Sequence, residues 1–429
     1  NKNDEIVKLL LSKPNIDVNS KTIRWYSKES SLIIAVKNNN IEIVKLLLSK
    51  PNIDINFKNE DNNNKDTVLN YSVRNNNIEI MKLLLSNKNI NVNAKSFSYF
   101  EEETALMIAI KNNNQEMIEL LLNHPNIDVN PQIGIYGDTP LNYFIRNQNI
   151  EMVKRLLSYP NINVNSLSKQ YQCLETALIL AIEKNNMEII KLLLENKNID
   201  LNKKKYFYSK ETTALSIAVE NENIELIKLL LANKNIKNPR PSIRALYKTA
   251  LNIAVEKNNI EIIKLLIENP NIEVNTRSHF INQDENYEEE TALMIAIKNN
   301  NIEVVKILLN HTNIDINSKP NYTFDGDTAL NIAIRNNNFE IVKLLLSKPN
   351  IDVNSQTKYS KSNTLITSLY LAIEQKNLEV VQLLLSHPNI DVNCYSTYVE
   401  KKISPSHMAK CYIEKAPIHL AAEQNNFEI

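Results

Sequence analysis

A pattern that returns along the whole chain constrains the fold more than any other feature. It reads NNNIEIVKLLLSKPNIDIN at residues 38–56 and comes back with small changes at residues 75–93, 147–165 and 336–354. Self-similarity at a period of about 35–40 residues is the signature of a stacked repeat protein. In such a protein each unit packs on its neighbours only, so a chain of 429 residues can share one elongated core.

Each repeat is predicted to contain two helices. In the recurring pattern Ile41, Val44, Leu47 and Leu48 follow one another at helical spacing and form one apolar face. A shorter apolar segment, of which residues 104–110 are an example, fits a buried helix. An Asn-rich turn separates the short segment from the helix that follows it. The predicted unit is therefore short helix, tight turn, second helix and connecting loop.

An anchor residue of the short helix marks each repeat. Successive anchors are 35 residues apart at the closest, from Leu106 to Leu141, and 49 at the widest, from Leu369 to Ile418. The helical parts keep their length, so the insertions fall in the connecting loop, on one edge of the stack. The longest connection, residues 393–416, is predicted to be a loop. The anchors are Leu32, Leu69, Leu106, Leu141, Leu178, Leu215, Leu251, Leu293, Leu330, Leu369 and Ile418.

The domain organisation predicted from these anchors is one continuous array over residues 1–429, with about eleven repeat units. The chain begins inside a repeat, at residues 1–6, and ends at the equivalent point, at residues 425–429. A solenoid normally closes with a polar capping repeat. We therefore expect these residues to be a segment of a longer protein.

The charge balance argues against some classes of partner. Lys plus Arg and Asp plus Glu each number 49, so the formal net charge is zero. A general nucleic-acid or anionic-membrane binder would need a basic excess. No apolar run approaches the ~18 residues that a membrane helix needs. Three scattered cysteines, Cys173, Cys394 and Cys411, predict a reducing, cytoplasmic location with no disulfide framework.

Several motifs together resemble the ankyrin repeat family. They are Thr-Pro-Leu-Asn at residues 139–142, Ala-Pro-Ile-His-Leu-Ala-Ala at residues 416–422, the Ile-Val-Lys-Leu-Leu-Leu of the second helix and the Asp-Val-Asn after it. They recur in fixed order over essentially the whole chain. The resemblance implies an all-α repeat solenoid of stacked helix-turn-helix units in a left-handed curved superhelix. Short inner helices and β-hairpin fingers would line its concave side, with longer outer helices on the convex side.

The turn between the two helices departs from the family pattern. Asn39, Asn76 and Asn113 replace the usual Gly, and Asn tolerates the left-handed conformation best after Gly. Asn39 and Glu42 have capping-box spacing, so we expect Asn39 also to cap the second helix. The family's His in the first helix is mostly replaced by Asn, Met, Ser or Ile. We therefore expect Asn side-chain hydrogen bonds to support the turns.

The connecting fingers hold most of the aromatic residues, whereas the helices are built from Leu, Ile, Val and Ala. Aromatic side chains on one edge offer a partner a large contact area, which predicts a binding surface. The alternative is that each aromatic side chain packs on the neighbouring finger, and their regular recurrence before each anchor fits that interpretation. Three clusters exceed what stacking needs: Trp25 and Tyr26; Phe97, Tyr99 and Phe100; Tyr206, Phe207 and Tyr208.

A second candidate surface is the residue that follows the apolar core of the first helix. It is basic in four consecutive repeats, acidic in the next three, basic in two and acidic in the last two. A partner with a complementary acidic stretch would explain the first basic block. The alternatives are sequence drift and pairing with finger acids such as Glu101–Glu103. The predicted partner-binding block consists of Lys37, Arg74, Lys111 and Arg146.

The sequence contains no motif for catalysis. Its six histidines are scattered, no Cys-x-x-Cys occurs, and three glycines cannot build a phosphate loop. We predict no enzyme activity, metal, cofactor or small-molecule substrate. The predicted function is an interaction scaffold that binds other proteins through its fingers and concave inner-helix surface. The alternative is a structural spacer or lattice component associated with a cytoskeletal assembly such as an axonemal microtubule.

Overall fold

The chain repeats one structural motif along its length. The computed structural model describes residues 2–22, 27–61, 64–98, 101–132, 137–170, 173–237, 245–281, 287–320, 326–359, 364–403 and 408–424. Within these residues the chain forms two compact units, Asn1–Ile199 and Asp200–Ile429. Each repeat places a first helix of seven residues before a second helix of eight, and a finger precedes the first helix.

The first unit begins with a second helix, α1, and continues with alternating first and second helices. Its fingers contain short strands. The helices are α1 Lys2–Leu11, α2 Ser31–Lys37, α3 Ile41–Leu48, α4 Val68–Arg74, α5 Ile78–Leu85, α6 Ala105–Lys111, α7 Gln115–Leu122, α8 Pro140–Arg146, α9 Ile150–Leu157, α10 Ala177–Glu183 and α11 Met187–Leu194. The strands are β1 Ser27–Lys28, β2 Glu60–Asp61, β3 Asn64–Lys65, β4 Ser96–Ser98, β5 Glu101–Glu103, β6 Leu167–Gln170 and β7 Cys173–Thr176.

The second unit follows the same order and has longer finger strands. Its helices are α12 Ala214–Glu220, α13 Ile224–Leu231, α14 Ala250–Glu256, α15 Ile260–Ile267, α16 Ala292–Lys298, α17 Ile302–Leu309, α18 Ala329–Arg335, α19 Phe339–Leu346, α20 Ser368–Glu374, α21 Leu378–Leu385 and α22 Pro417–Glu423. Its strands are β8 Lys204–Phe207, β9 Lys210–Thr213, β10 Leu246–Tyr247, β11 Ser278–Ile281, β12 Tyr287–Glu290, β13 Thr357–Tyr359, β14 Thr364–Ile366, β15 Ser396–Ile403 and β16 Met408–Lys415.

The finger strands pair within and between repeats. In the first unit β1 pairs with β2, β4 pairs with both β3 and β5, and β6 pairs with β7, all antiparallel. In the second unit β8–β9, β10–β11 and β11–β12 are antiparallel, whereas β9 and β10 are parallel. Strands β13 to β16 form an antiparallel sheet in chain order. Several neighbouring fingers, such as those of β9 and β10, are therefore joined by backbone hydrogen bonds.

The predicted loop at residues 393–416 is wrong, because this segment contains the longest strands of the described chain. Strands β15 and β16 are eight residues each and pair from Ser396 opposite Lys415 to Ile403 opposite Met408. Both segments carry β-branched and aromatic residues, which favour strands, and Ser-Pro-Ser-His separates them.

The core lies between successive repeats. Every residue of α6 from Ala105 to Ile110 is buried, whereas α3 buries one face, with Val44 and Leu47 inside and Glu42 exposed. First helices pack on first helices, as α4 does on α2 and α6, and second helices on second helices. Each buried Leu or Ile contributes about 1.5–3 kcal/mol of transfer free energy. A repeat gains this stabilisation only from its neighbours.

The turn between the helices confirms the predicted left-handed asparagines. The φ angles of Asn39, Asn76 and Asn113 are 54°, 54° and 52°. The predicted capping box at Asn39 is wrong by one residue, because Asn40 caps α3 by accepting the N–H of Ile43 at 3.1 Å. An N-cap needs a negative φ, and the left-handed residue cannot supply one. The family's glycine position and its cap are thus two consecutive asparagines.

A second set of asparagines joins each repeat to the next. Asn56 Nδ2 donates to the carbonyl oxygen of Asn89 at 2.7 Å, and Asn56 Oδ1 accepts the N–H of Asn91 at 2.8 Å. One primary amide thus satisfies a carbonyl and an N–H of the following turn. The asparagines with both bonds are Asn19, Asn56, Asn93 and Asn130 in the first unit and Asn202, Asn275, Asn317 and Asn354 in the second.

Buried asparagines replace the family's histidine in the first helix, as predicted. Asn252 is fully buried and donates to the carbonyl oxygen of Glu290 at 2.8 Å. Asn331 donates to Thr357 Oγ1 at 3.1 Å. Both bonds tie a first helix to the finger that follows it, because a buried amide needs a partner. The prediction that asparagine side chains support the turns is confirmed at these positions.

Asn113 allows the free-energy cost of a positive φ to be measured on its own, since its side chain makes no hydrogen bond with another described residue. We expect Asn113→Ala to lower the free energy of unfolding by about 1 kcal/mol and Asn113→Gly to leave it nearly unchanged. Asn112→Ala is the matched control, because Asn112 has a φ of −77° and is exposed. Urea unfolding of the three variants checks this. Equal losses for alanine at positions 112 and 113 would contradict the assignment.

Asn56 tests the amide bridge between repeats. We expect Asn56→Ala to lower the free energy of unfolding by about 1–3 kcal/mol, because it removes two hydrogen bonds and leaves a carbonyl and an N–H unpaired. Asn52→Ala is the control, since the carbonyl of Asn52 accepts the bridge from Asn19 and its own side chain is exposed. Urea unfolding measures both variants. Similar effects at positions 52 and 56 would show that the bridge does not stabilise the stack.

Candidate interaction surface

The four basic residues predicted to bind a partner each end a first helix. Each pairs with an acid eight residues earlier in the chain, at the end of the preceding finger. Lys37 pairs with Glu29, Arg74 Nε lies 3.2 Å from Asp66 Oδ2, and Arg146 Nε lies 3.0 Å from Asp138 Oδ2. The short length of the helix brings its last residue back beside the finger from which it started.

Some of these cations also contact the finger of the next repeat. Glu103 accepts from Arg74 at 2.7 Å and from Lys111 at 2.6 Å, so it joins two repeats. Arg146 reaches Glu175 in the same manner at 2.8 Å. Pairing with finger acids, one of the alternatives raised by the sequence, therefore occurs at Glu103. Binding of a partner by the same cations stays a prediction.

Two of the acidic repeats use the same geometry with the signs exchanged. Glu256 pairs with Lys248 at 2.6 Å, and Glu423 pairs with Lys415 at 2.7 Å. Where the helix end is basic again, Arg335 pairs with Asp327 at 2.6 Å. At these positions the charge at the helix end is matched by the residue eight positions earlier, whereas Glu175, Thr212 and Ile366 stand eight positions before the acidic helix ends Glu183, Glu220 and Glu374. That spacing is visible in the sequence and would have found the partner acids.

The cations lie at the surface and their carboxylates lie beneath them. The side chains of Arg74 and Lys111 are 31% and 35% exposed, whereas that of Glu103 is 7% exposed. Burial alone would raise the pKa of Glu103, but the hydrogen bonds from Lys111 and Arg74 outweigh it, and the pKa lies below its ordinary value. At Asp66 burial prevails over Arg74 and raises the pKa. The surface therefore presents cationic groups that are already neutralised from below.

The finger aromatics fall into two groups. Phe207 and Tyr208 are 48% and 70% exposed at the tip of the β8–β9 hairpin, and their rings meet edge to face at 4.8 Å. Phe97 is 39% exposed and Tyr206 is half-buried. Tyr247, in contrast, is buried in β10, which pairs with strands of both neighbouring fingers. For this residue, packing on neighbouring fingers is the interpretation that fits. Trp25, Tyr26, Tyr99 and Phe100 lie outside the described residues.

The part of the chain that the structure describes contains no candidate metal site and no candidate membrane-spanning helix. There, no group of three or more His, Cys, Asp or Glu side chains could hold a metal ion. Among the same residues no helix is both long and apolar enough to cross a membrane. Cys173 and Cys394 are free thiols, and the side chain of Cys411 lies outside the described part of the chain.

Glu103→Gln tests the carboxylate that joins two repeats. We expect it to lower the free energy of unfolding at pH 7 by about 1–3 kcal/mol, since charge-assisted hydrogen bonds are lost. Because the folded-state pKa is lowered, this stabilisation is present above the unfolded-state pKa and is lost as the pH falls through the folded-state value. The difference between wild type and variant should therefore begin to narrow as the pH falls below the unfolded-state pKa of about 4.3. Urea unfolding across pH measures this.

The neighbouring residue provides the control for that measurement. Glu102 pairs with Lys95 at 2.9 Å, but both side chains are exposed. Glu102→Gln should change stability little at any pH, because exposed ion pairs are screened by solvent. A constant difference between wild type and Glu103→Gln from pH 7 to pH 3 would contradict the assigned role of the charge.

Comparison with known proteins places this geometry in a family. A family model for ankyrin repeats (3 copies) matches residues 1–96, 94–168, 178–278, 235–320, 278–357 and 321–396. No curated protein sequence matches the chain. Among solved structures, the crystal structure of the ankyrin repeat domain of Bcl-3, a unique member of the IkappaB protein family, is 22% identical. It aligns with a TM-score of 0.42 and covers 57% of this chain and 98% of that one. Since the family model matches most of the sequence, the chain belongs to the ankyrin repeat family.

Proposed function

We propose that this protein is an interaction scaffold that binds other proteins through its fingers and its inner-helix surface. Ankyrin repeats generally mediate protein–protein interaction, and this chain belongs to that family. The observation that carries the proposal is the exposure of Phe207 and Tyr208, two adjacent aromatic residues, at a hairpin tip. Exposed aromatic side chains are frequent hot spots of protein interfaces.

A preorganised surface suits this role. Backbone hydrogen bonds join β9 to β10 and β10 to β11, so neighbouring fingers hold one another in place. The asparagine bridges, such as that of Asn202, join successive repeats at the base of the fingers. A partner then loses little conformational entropy of the scaffold on binding, which leaves more of the contact energy as affinity.

The first-helix cations would add electrostatic selectivity. Their charged groups are partly exposed, and the carboxylates that neutralise them are buried. An incoming acidic side chain can approach Arg74 or Lys111 from the solvent side without displacing Glu103. Such complementarity favours specificity and association rate more than affinity.

A structural spacer or lattice component is the second candidate, and one regularity favours it. Ion pairs recur between successive second helices: Lys82–Glu116 at 3.0 Å, Lys154–Glu188 at 2.9 Å and Lys306–Glu340 at 2.9 Å. A repeating surface of this kind could lie along a cytoskeletal polymer. Resistance of the native protein to mild detergent and salt extraction would favour the lattice role over the soluble scaffold.

The remaining parts of the proposal follow from charge and composition. We propose a cytoplasmic protein without enzyme activity, cofactor or small-molecule substrate, and without general affinity for nucleic acid. The formal net charge of zero supports the last statement, because nucleic-acid binders need a basic excess. Substrate turnover by the purified chain would contradict the proposed absence of enzyme activity, but it would not contradict the proposed scaffold function.

Substitution of the finger aromatics tests the scaffold proposal. We expect the double variants Trp25→Ala/Tyr26→Ala and Phe207→Ala/Tyr208→Ala to retain native circular dichroism and to capture partners about fivefold less well, as loss of a hot spot implies. Lys37→Gln/Lys111→Gln should act in the same direction. Glutamine is chosen because a glutamate at position 111 would face the buried Glu103. Quantitative mass spectrometry of proteins captured from native cells is the measurement.

The control for this experiment is Phe339→Ala. Phe339 is 40% exposed on α19, away from the fingers. The Phe339→Ala substitution removes a comparable exposed ring from a second helix and should leave the capture of partner proteins unchanged. Unchanged capture in all finger and cation variants, with native circular dichroism, would rule out this surface.

A further inference from the structure

Positive charge is concentrated on two consecutive fingers of the second unit, although the whole chain is neutral. Residues 201–210 contain four lysines and no acid. Residues 232–249, which connect α13 to α14, contain five basic residues and no Asp or Glu. The basic residues of the two segments are Lys203, Lys204, Lys205, Lys210, Lys234, Lys237, Arg240, Arg244 and Lys248.

The register of the β8–β9 hairpin places its acid on the inner face. Tyr206 lies opposite Glu211, and Lys204 lies opposite Thr213. Directly opposed residues share a face of a sheet. Glu211 is 3% exposed and pairs with Lys204 at 2.7 Å. The acid closest to the lysine run is thus neutralised inside the finger.

The outer face of the same hairpin is basic and aromatic. Lys203, Lys205 and Phe207 alternate along the strand, and Lys210 lies opposite Phe207. Lys203 and Lys210 are exposed and form no ion pair with any other residue in the described ranges. Thr212, opposite Lys205, is the remaining member of this face. The hairpin therefore contributes no carboxylate to this face.

The next finger extends this face. Leu246 lies opposite Lys210 in the parallel β9–β10 pair, and its N–H donates to the carbonyl oxygen of Ser209 at 2.8 Å. At the base of the hairpin, the N–H of Lys237 donates to Asn202 Oδ1 at 2.9 Å, which places the exposed Lys237 beside Lys203. Positive charge thus begins at the base of the β8–β9 hairpin, with Lys203 and Lys237, and continues to Lys210 near its tip.

We propose that this outer face binds an extended, acidic polypeptide segment of a partner protein. The inference rests on the proposed scaffold function and names the partner's chemistry at one of its fingers. Phe207 lies four positions after Lys203, which is about 13 Å of strand. An extended chain lying along the hairpin would place its carboxylates near Lys203, Lys237 and Lys210. An apolar side chain of the segment would pack on Phe207 and Tyr208 at the tip.

The arrangement fits a polypeptide better than the other anionic macromolecules. Phe207 and Tyr208 meet at 80°, so they do not form the parallel platform on which successive bases stack. A membrane surface would meet only the tip, because the lysines at the base lie farther from it than a Debye length of about 8 Å. An extended chain can contact the base and the tip at once.

The test uses the full chain and a fluorescein-labelled synthetic peptide of glutamates interrupted by leucine. We expect saturable binding by fluorescence anisotropy at low salt, weakened at high salt. Lys203→Glu/Lys210→Glu should weaken binding about tenfold, and Phe207→Ala/Tyr208→Ala about fivefold. Phosphatidylserine vesicles and an oligothymidylate should compete poorly with the peptide.

Lys264→Glu/Lys343→Glu is the matched control, because it changes the net charge equally at exposed residues of α15 and α19. Its affinity for the peptide should equal that of the wild type. The proposal is overturned if the wild type does not bind the peptide, if both lysine pairs weaken binding equally, or if vesicles or oligothymidylate bind more tightly. Partner capture that depends on Trp25 or Lys111, without peptide binding, would leave the scaffold proposal standing and remove this inference alone.

Discussion

Burial of apolar helix faces between successive repeats is the interaction on which the rest of the structure depends. No repeat can close its own core, since α6 buries Ala105–Ile110 only because neighbouring helices cover it. Such packing has little directional preference, so it does not by itself fix how one repeat sits on the next. The directional part comes from asparagine. Its amide donates and accepts at once, and Asn56 uses both functions to join the turns of two repeats.

This division of tasks leaves the fingers available for recognition. The helices and turns keep nearly constant length, and the anchor spacing varies through the fingers alone. The fingers can then carry different side chains without disturbing the core: exposed rings at Phe207 and Tyr208, a buried ring at Tyr247. Charge is distributed in a comparable way. Cations at the first-helix ends are held over buried acids, as at Glu103, whereas the β8–β9 finger exposes Lys203 and Lys210.

Much of the fold could be predicted from the sequence, because its signals are local and repeated. The helical periodicity, the anchor leucines and the left-handed Asn39 each depend on a few neighbouring residues. The sequence predicts the cap one residue early, at Asn39, because the spacing to Glu42 does not distinguish which of two adjacent asparagines has the positive φ. It predicts a loop where β15 and β16 form a hairpin, since their pairing is visible in the sequence only as strand propensity. The bond from Arg74 to Glu103 joins different repeats, and no local pattern shows it.

The most direct measurement of how the repeats are joined is hydrogen–deuterium exchange of the wild-type chain, read at the N–H groups that the bridging asparagines accept. Asp54, Asn91 and Asp128 are exposed residues outside helices and strands, so their N–H groups would ordinarily exchange fast. Because Asn19, Asn56 and Asn93 accept them at 2.8 Å, we expect exchange at least about a hundredfold slower than the intrinsic rate. Exchange near the intrinsic rate would contradict the role of asparagine in joining the repeats.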